Sequence, residues 1–211
     1  MSEANVAAAT STGLWDGGGS PYRVGSKKFG MWLFIISDAL TFSALLMAYT
    51  YLRLASPNWP TPFHFNPSII FSSFMTFCLL SSSLTMVMAV HAMGKGNRKS
   101  TVGWLLATIV CGSAFVGLHL TEWLNLMRHE NVTPFSNPWG EPLFGATFFA
   151  ITGLHMTHVV IGVIYLCIIT FAVGRGKFNY EDVEVSGLYW HFVDLVWMFV
   201  FPLVYLMSAK V

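Results

Sequence analysis

Five stretches of this chain are apolar for long enough to cross a lipid bilayer, and that constrains the fold more than any other feature. Crossing a hydrocarbon core about 30 Å thick takes roughly 20 consecutive apolar residues in helical form. The stretches run from Phe29 to Leu52, Ser68 to Ala92, Gly103 to Met127, Phe144 to Val173 and Gly187 to Ala209. Composition agrees: 55% of residues are hydrophobic and 10% charged, with a mean hydropathy of +0.60. A soluble domain carries about 25% charged residues. This chain lacks the polar material to cover a globule of its size, so lipid must cover much of it. The expected fold is all-α, an integral membrane bundle of five uninterrupted transmembrane helices. Residues 1–28 are expected to form a flexible cytoplasmic tail and residues 29–211 the transmembrane domain.

The segments between the stretches hold the turn formers: Pro57, Pro60, Pro62 and Pro67, then Gly94 and Gly96, then Pro134, Pro138 and Pro142. The fourth is marked by Gly174, Gly176 and a cluster of Glu181, Asp182 and Glu184. Eight of the eleven basic residues fall on one side: Arg23, Lys27, Lys28, Lys95, Arg98, Lys99, Arg175 and Lys177. Arg53, Arg128 and Lys210 fall on the other. Positive loops stay in the cytoplasm, which places the N-terminus inside and the C-terminus in the periplasm. Met1 to Ser20 is small and polar, without the basic start and apolar run of a cleavable signal peptide. The net charge of +1 offers no basic surface for nucleic acid. Cys78, Cys111 and Cys167 lie far apart in apolar runs, as small buried hydrophobes rather than disulfide partners.

Ionisable groups in lipid are costly, so each one inside a stretch needs an account. Asp38 lies about 14 Å along the first helix and must be protonated, paired or next to water. It is either a proton-linked or water-linked site, or a structural hydrogen bond to a neighbouring helix. His158, at a compatible depth in the fourth helix, is the expected partner. His119 and Glu122 share a helix face at i, i+3, as do His155 and His158, and His191 and Asp194. Glu122 lies toward the outer end of its helix, within reach of water. A bis-histidine haem needs two ligands at matched depth on facing helices, and copper needs converging ligands. His155 and His158 are too close together on one helix for the first, and the remaining histidines are scattered in depth. The reading is therefore that this chain carries no metal. Gly145, Ala146, Gly153 and Gly162 permit close helix approach along the fourth helix. Ser81, Ser82, Ser83 and Thr85 supply interhelical hydrogen bonds from the second.

The finer sequence adds a resemblance. Gly187-Leu188-Tyr189-Trp190-His191-Phe192-Val193-Asp194-Leu195-Val196-Trp197 closely resembles the signature of haem-copper oxidase subunit III. Phe144 to Phe149, Thr152 to His155 and His158 to Gly162 are similar to that family's next-to-last helix. Phe29 to Asp38 resembles its segment bearing a buried carboxylate, and Glu122-Trp123 resembles its acidic-aromatic pair. The chain is similar to the short form of the family, which begins at the third of seven helices. Where many members have Glu, it has Asp38.

The resemblance implies a non-catalytic subunit of a proton-pumping oxygen reductase in aerobic respiration. In such complexes haem and copper sit in partner subunits. This subunit packs on subunit I, beside subunit II and a small subunit IV, within reach of respiratory supercomplex partners. It holds phospholipid in a cleft lined partly by Trp32 and helps sustain proton uptake, with Asp38 and His158 in the buried polar site. The implied location is the bacterial cytoplasmic membrane. The electron donor stays open between cytochrome c and quinol, with the segment from His129 to Pro142 leaning toward cytochrome c. A small transporter using Asp38 and Glu122, and an autonomous haem carrier, are the alternatives from other classes.

Overall fold

A computed structural model describes residues 25–64, 69–136, 138 and 140–210. Five helices dominate it: α1 (Ser26–Ala55), α2 (Ile70–Gly94), α3 (Arg98–His129), α4 (Pro142–Gly174) and α5 (Tyr180–Val200). All five are long and apolar enough to cross a membrane. Most of the expected tail lies outside the described residues, and α1 begins at Ser26, ahead of the expected Phe29.

Two helix starts come five residues or more ahead of where hydropathy places them. α3 begins at Arg98, because Asn97 caps it by accepting the Ser100 N–H at 3.2 Å. α5 begins at Tyr180, seven residues before Gly187. Asn179 and Asp182 form a reciprocal capping box there, with the Asn179 N–H donating to Asp182 Oδ2 at 3.0 Å. The acidic cluster expected in a loop is thus the opening of the helix, where carboxylates favour the positive end of the helix dipole. α2 and α4 both end with glycine in the left-handed region, Gly96 at φ +73° and Gly176 at φ +74°. In each turn the glycine and its successor donate back to the helix, Asn97 to Ala92 O and Lys177 to Ala172 O, which closes the chain into a tight reversal.

The last stretch is not one uninterrupted helix. Beyond Val200 it continues as a π-helical turn, Phe201–Tyr205, and a 3-10 turn, Leu206–Ser208. Pro202 explains the change, because it has no N–H for the helical ladder and its ring crowds the preceding turn.

α2, α3, α4 and α5 pack in sequence order, and α5 returns to α2 to close a four-helix ring. α1 lies outside that ring against α4 and α5. The core runs through the ring on Met75, Leu79, Met86, Leu105, Phe115, Phe148, Val159, Trp190 and Trp197. At the end where α1 starts, Lys27 and Lys28 form ion pairs with Asp182 (2.6 Å) and Glu184 (2.8 Å). At the opposite end the α1–α2 connection folds over the ring. Trp59 sits edge-on to both Tyr49 (5.4 Å) and Phe144 (5.6 Å). Two short strands, β1 (Phe63–His64) and β2 (Ala209–Lys210), then pair in parallel, with Phe63 opposite Ala209.

Candidate functional site

The polar groups of the membrane interior fall into three places. The first joins α1 to α4. Asp38 Oδ2 stands 3.4 Å from His158 Nε2, with both side chains mostly buried. His158 Nδ1 is held by the Leu154 carbonyl at 2.8 Å, one turn earlier on α4, which turns Nε2 toward α1. The Tyr189 hydroxyl donates to the His158 backbone carbonyl at 3.0 Å, so α5 braces the same spot. Phe42 lies edge-on to His158 and His155, at 5.5 and 6.4 Å between centroids, and closes the pair on one side. The structure thus brings Asp38 and His158 together.

The second place is inside the ring. Glu122 accepts from Ser72 on α2 at 2.5 Å and from Tyr205 at 2.9 Å. Its side chain is only 9% exposed, so the carboxyl is enclosed rather than open to water at the helix end. His119, the expected i, i+3 partner, stays 3.8 Å away, beyond a hydrogen bond. His119 stacks on Phe115 at 5.7 Å instead, and His155 stacks on Trp197 at 4.9 Å. Neither imidazole hydrogen-bonds to a protein group among the described residues. Both serve as flat fillers around Trp197, whose N–H donates to Thr76 on α2 at 2.9 Å.

The third place is the α2–α5 seam. His191 Nδ1 pairs with Ser83 Oγ at 2.7 Å, so its partner is across the helix contact rather than Asp194 on its own helix. Asp194 is 6% exposed, and its Oδ1 has no hydrogen bond among the described residues. The serine run acts as its spacing suggests. Ser82 accepts the Trp190 N–H at 2.9 Å, and Thr85 meets Thr108 on α3 at 2.8 Å. Trp32 stands exposed on α1.

Sequence reasoning missed Ser72 and Tyr205, which between them occupy both Glu122 oxygens. A signal existed: a serine in the first turn of the second apolar stretch and a tyrosine just beyond Pro202 both lie at the end of the bundle toward which Glu122 sits. Chemically, these groups tie helices to one another through hydrogen bonds and a close carboxylate–imidazole approach. Among the described residues, no three His, Cys, Asp or Glu side chains converge as metal ligands.

Comparison with known proteins agrees with the sequence signature. The family model for cytochrome c oxidase subunit III matches residues 16–209. The chain belongs to the cytochrome c oxidase subunit III family. It is similar to a cytochrome c oxidase subunit 3 of Alkalihalophilus pseudofirmus, 33% identical across 88% of this chain and 89% of that protein. It is also similar to a quinol oxidase subunit 3 of Bacillus spizizenii, 34% identical across 85% and 86%. A cytochrome c oxidase subunit 3 of Heterololigo bleekeri is 34% identical, over 84% of this chain and 69% of that protein. Membership of the subunit III family, with the five long apolar helices, makes this a multi-pass membrane protein that associates with other subunits of a haem-copper oxidase.

Proposed function

We propose that this chain is a non-catalytic subunit of a proton-pumping haem-copper oxygen reductase. It packs directly on subunit I, neighbours subunit II and a small subunit IV, and helps proton uptake stay fast through many turnovers. The observation that carries the reading is how differently the intramembrane histidines are used. His158 faces Asp38, His191 faces Ser83, and His119 and His155 are stacked on aromatic rings. Side chains spent this way do not fit a haem or a copper centre, so haem and copper are assigned to the partner subunits. Asp38 and His158 are the groups proposed to act on proton uptake, since they join the outlying helix α1 to the outside of the ring rather than lying within it. Trp32, exposed on the same helix, is proposed to line a cleft for structural phospholipid.

The setting is proposed to be the aerobic respiratory chain of a bacterial cytoplasmic membrane, with contacts in a respiratory supercomplex. The N-terminus is placed in the cytoplasm and the C-terminus in the periplasm, on the distribution of basic residues. Cytochrome c is the proposed electron donor. Quinol is the second reading, favoured by the relative that is named a quinol oxidase subunit 3. Oxidation assays of the purified complex with each donor separate them.

The accessory role is tested by comparing oxidase purified with and without this chain. Equal initial oxygen reduction, followed by faster loss of activity where the chain is missing, is expected. Immediate loss of haem or of all activity would contradict a non-catalytic role.

A further inference from the structure

α5 is packed by α4, α1 and α2, and its remaining face lies between the last two. That face carries Leu195, Met198 and Phe199, all exposed. On the α1 side, Leu195 and Phe199 line an apolar cleft of about 370 Å³ with Phe42, Ser43 and Met47. On the α2 side stands His191, half-buried. Its Nδ1 is taken by Ser83, while Nε2 has no hydrogen bond among the described residues. Asp194 lies one turn further along, also against Ser83, enclosed and with Oδ1 unpartnered among the described residues.

Depth identifies what satisfies this seam. Glu184, paired with Lys28, is the last charged residue at the start of α5 before the seam. His191 lies seven residues beyond it, about 10 Å further along the helix, and the basic residue at the far end, Lys210, follows nineteen residues later. His191 is therefore within the hydrocarbon layer, too deep for a phospholipid headgroup. An imidazole nitrogen without a hydrogen bond is costly there, so a protein group is the fitting partner. A cleft beside a polar anchor is also how one transmembrane helix receives another.

We infer that the seam centred on His191, with the apolar cleft beside it, docks a transmembrane helix of another subunit of the oxidase. That helix brings a hydroxyl, amide or indole N–H to His191 Nε2 and apolar side chains to the cleft. The inference rests on the chain's place in the complex as proposed above, and names the face through which it joins.

The test is photo-crosslinking in native membranes, with a photoreactive residue placed separately at Leu195 and at Met198, followed by purification through a tag on this chain. Adducts with a second oxidase polypeptide at both positions are expected. Adducts with lipid alone, or with a second copy of this chain, would overturn the docking face while leaving the assembly reading intact. The haem spectrum of the same preparation tests that reading separately: if no haem accompanies the tagged chain, both fall. A second variant removes dependence on crosslinking. His191→Leu is expected to lower retention of the chain in detergent-washed oxidase several-fold. Ser83→Ala, which loses only the bond inside the chain, is expected to retain it. Unchanged retention in His191→Leu would overturn the proposal.

Discussion

Asp38 on α1 and His158 on α4 stand 3.4 Å apart, Oδ2 to Nε2, and give the outlying helix a polar contact with the ring. Elsewhere α1 buries Ile35, Phe42 and Tyr49, and at its start Lys27 and Lys28 pair with Asp182 and Glu184 on α5. A bond so placed can be changed without emptying the core.

Asp38→Ala is accordingly expected to leave assembly and initial oxygen reduction nearly intact, while altering the durability of activity or proton uptake. Oxygen consumption followed over successive turnovers checks this. Loss of haem from the complex in that variant would contradict it.

Trp197 should behave in the opposite way. It is 1% exposed, donates to Thr76 and is packed by Phe115, His119 and His155. Trp197→Ala is expected to destabilise by about 3–5 kcal/mol, as truncations of buried aromatic residues do. A lower melting temperature in detergent and weaker retention in the complex are the readouts. Trp197→Phe keeps most of the volume and is expected to lose only the hydrogen bond, about 1 kcal/mol.

Gly162 illustrates how α4 and α5 come close. A Cβ added there would lie 2.9 Å from the Trp190 ring and 3.0 Å from the Tyr189 ring. Gly162→Ala is expected to cost about 1–3 kcal/mol by overpacking. Introduced together with Trp190→Leu, it should cost less than the sum of the two single changes, since the smaller side chain vacates the contact. Strict additivity in a double-mutant cycle would contradict this account.

The Lys27–Asp182 pair at 2.6 Å is short but lies at the surface, with the lysine side chain 65% exposed. Lys27→Ala is expected to change stability by less than about 1 kcal/mol, since exposed ion pairs contribute little and salt screens them. A shift in melting temperature comparable to that of Trp197→Ala would show that the pair clamps α1.

The five helices were legible because hydropathy over about 20 residues is a strong signal, and their polar interruptions were few enough to name. Asp38 and His158 could be matched by depth alone, since both lie at similar distances from a helix end. Pairings along one helix were the weaker guide. His119 with Glu122 and His191 with Asp194 each satisfied i, i+3 spacing, yet Ser72, Tyr205 and Ser83 took the hydrogen bonds from across a helix contact. Ser72 is 50 residues from Glu122 in the chain, and a separation that long is invisible until the helices are placed. The start of α5 was hidden for another reason: Glu181, Asp182 and Glu184 lower the hydropathy just where they cap and open the helix.

This chain is a haem-copper oxidase subunit, and we propose that the redox centres lie in its partners. The most direct measurement is purification in gentle detergent through a tag on this chain, with a reduced-minus-oxidised spectrum of the eluate. Haem bands together with larger oxidase polypeptides, and a colourless product once this chain is separated from them, are predicted. A colourless eluate holding this chain alone, from membranes where the oxidase is expressed, would contradict the account.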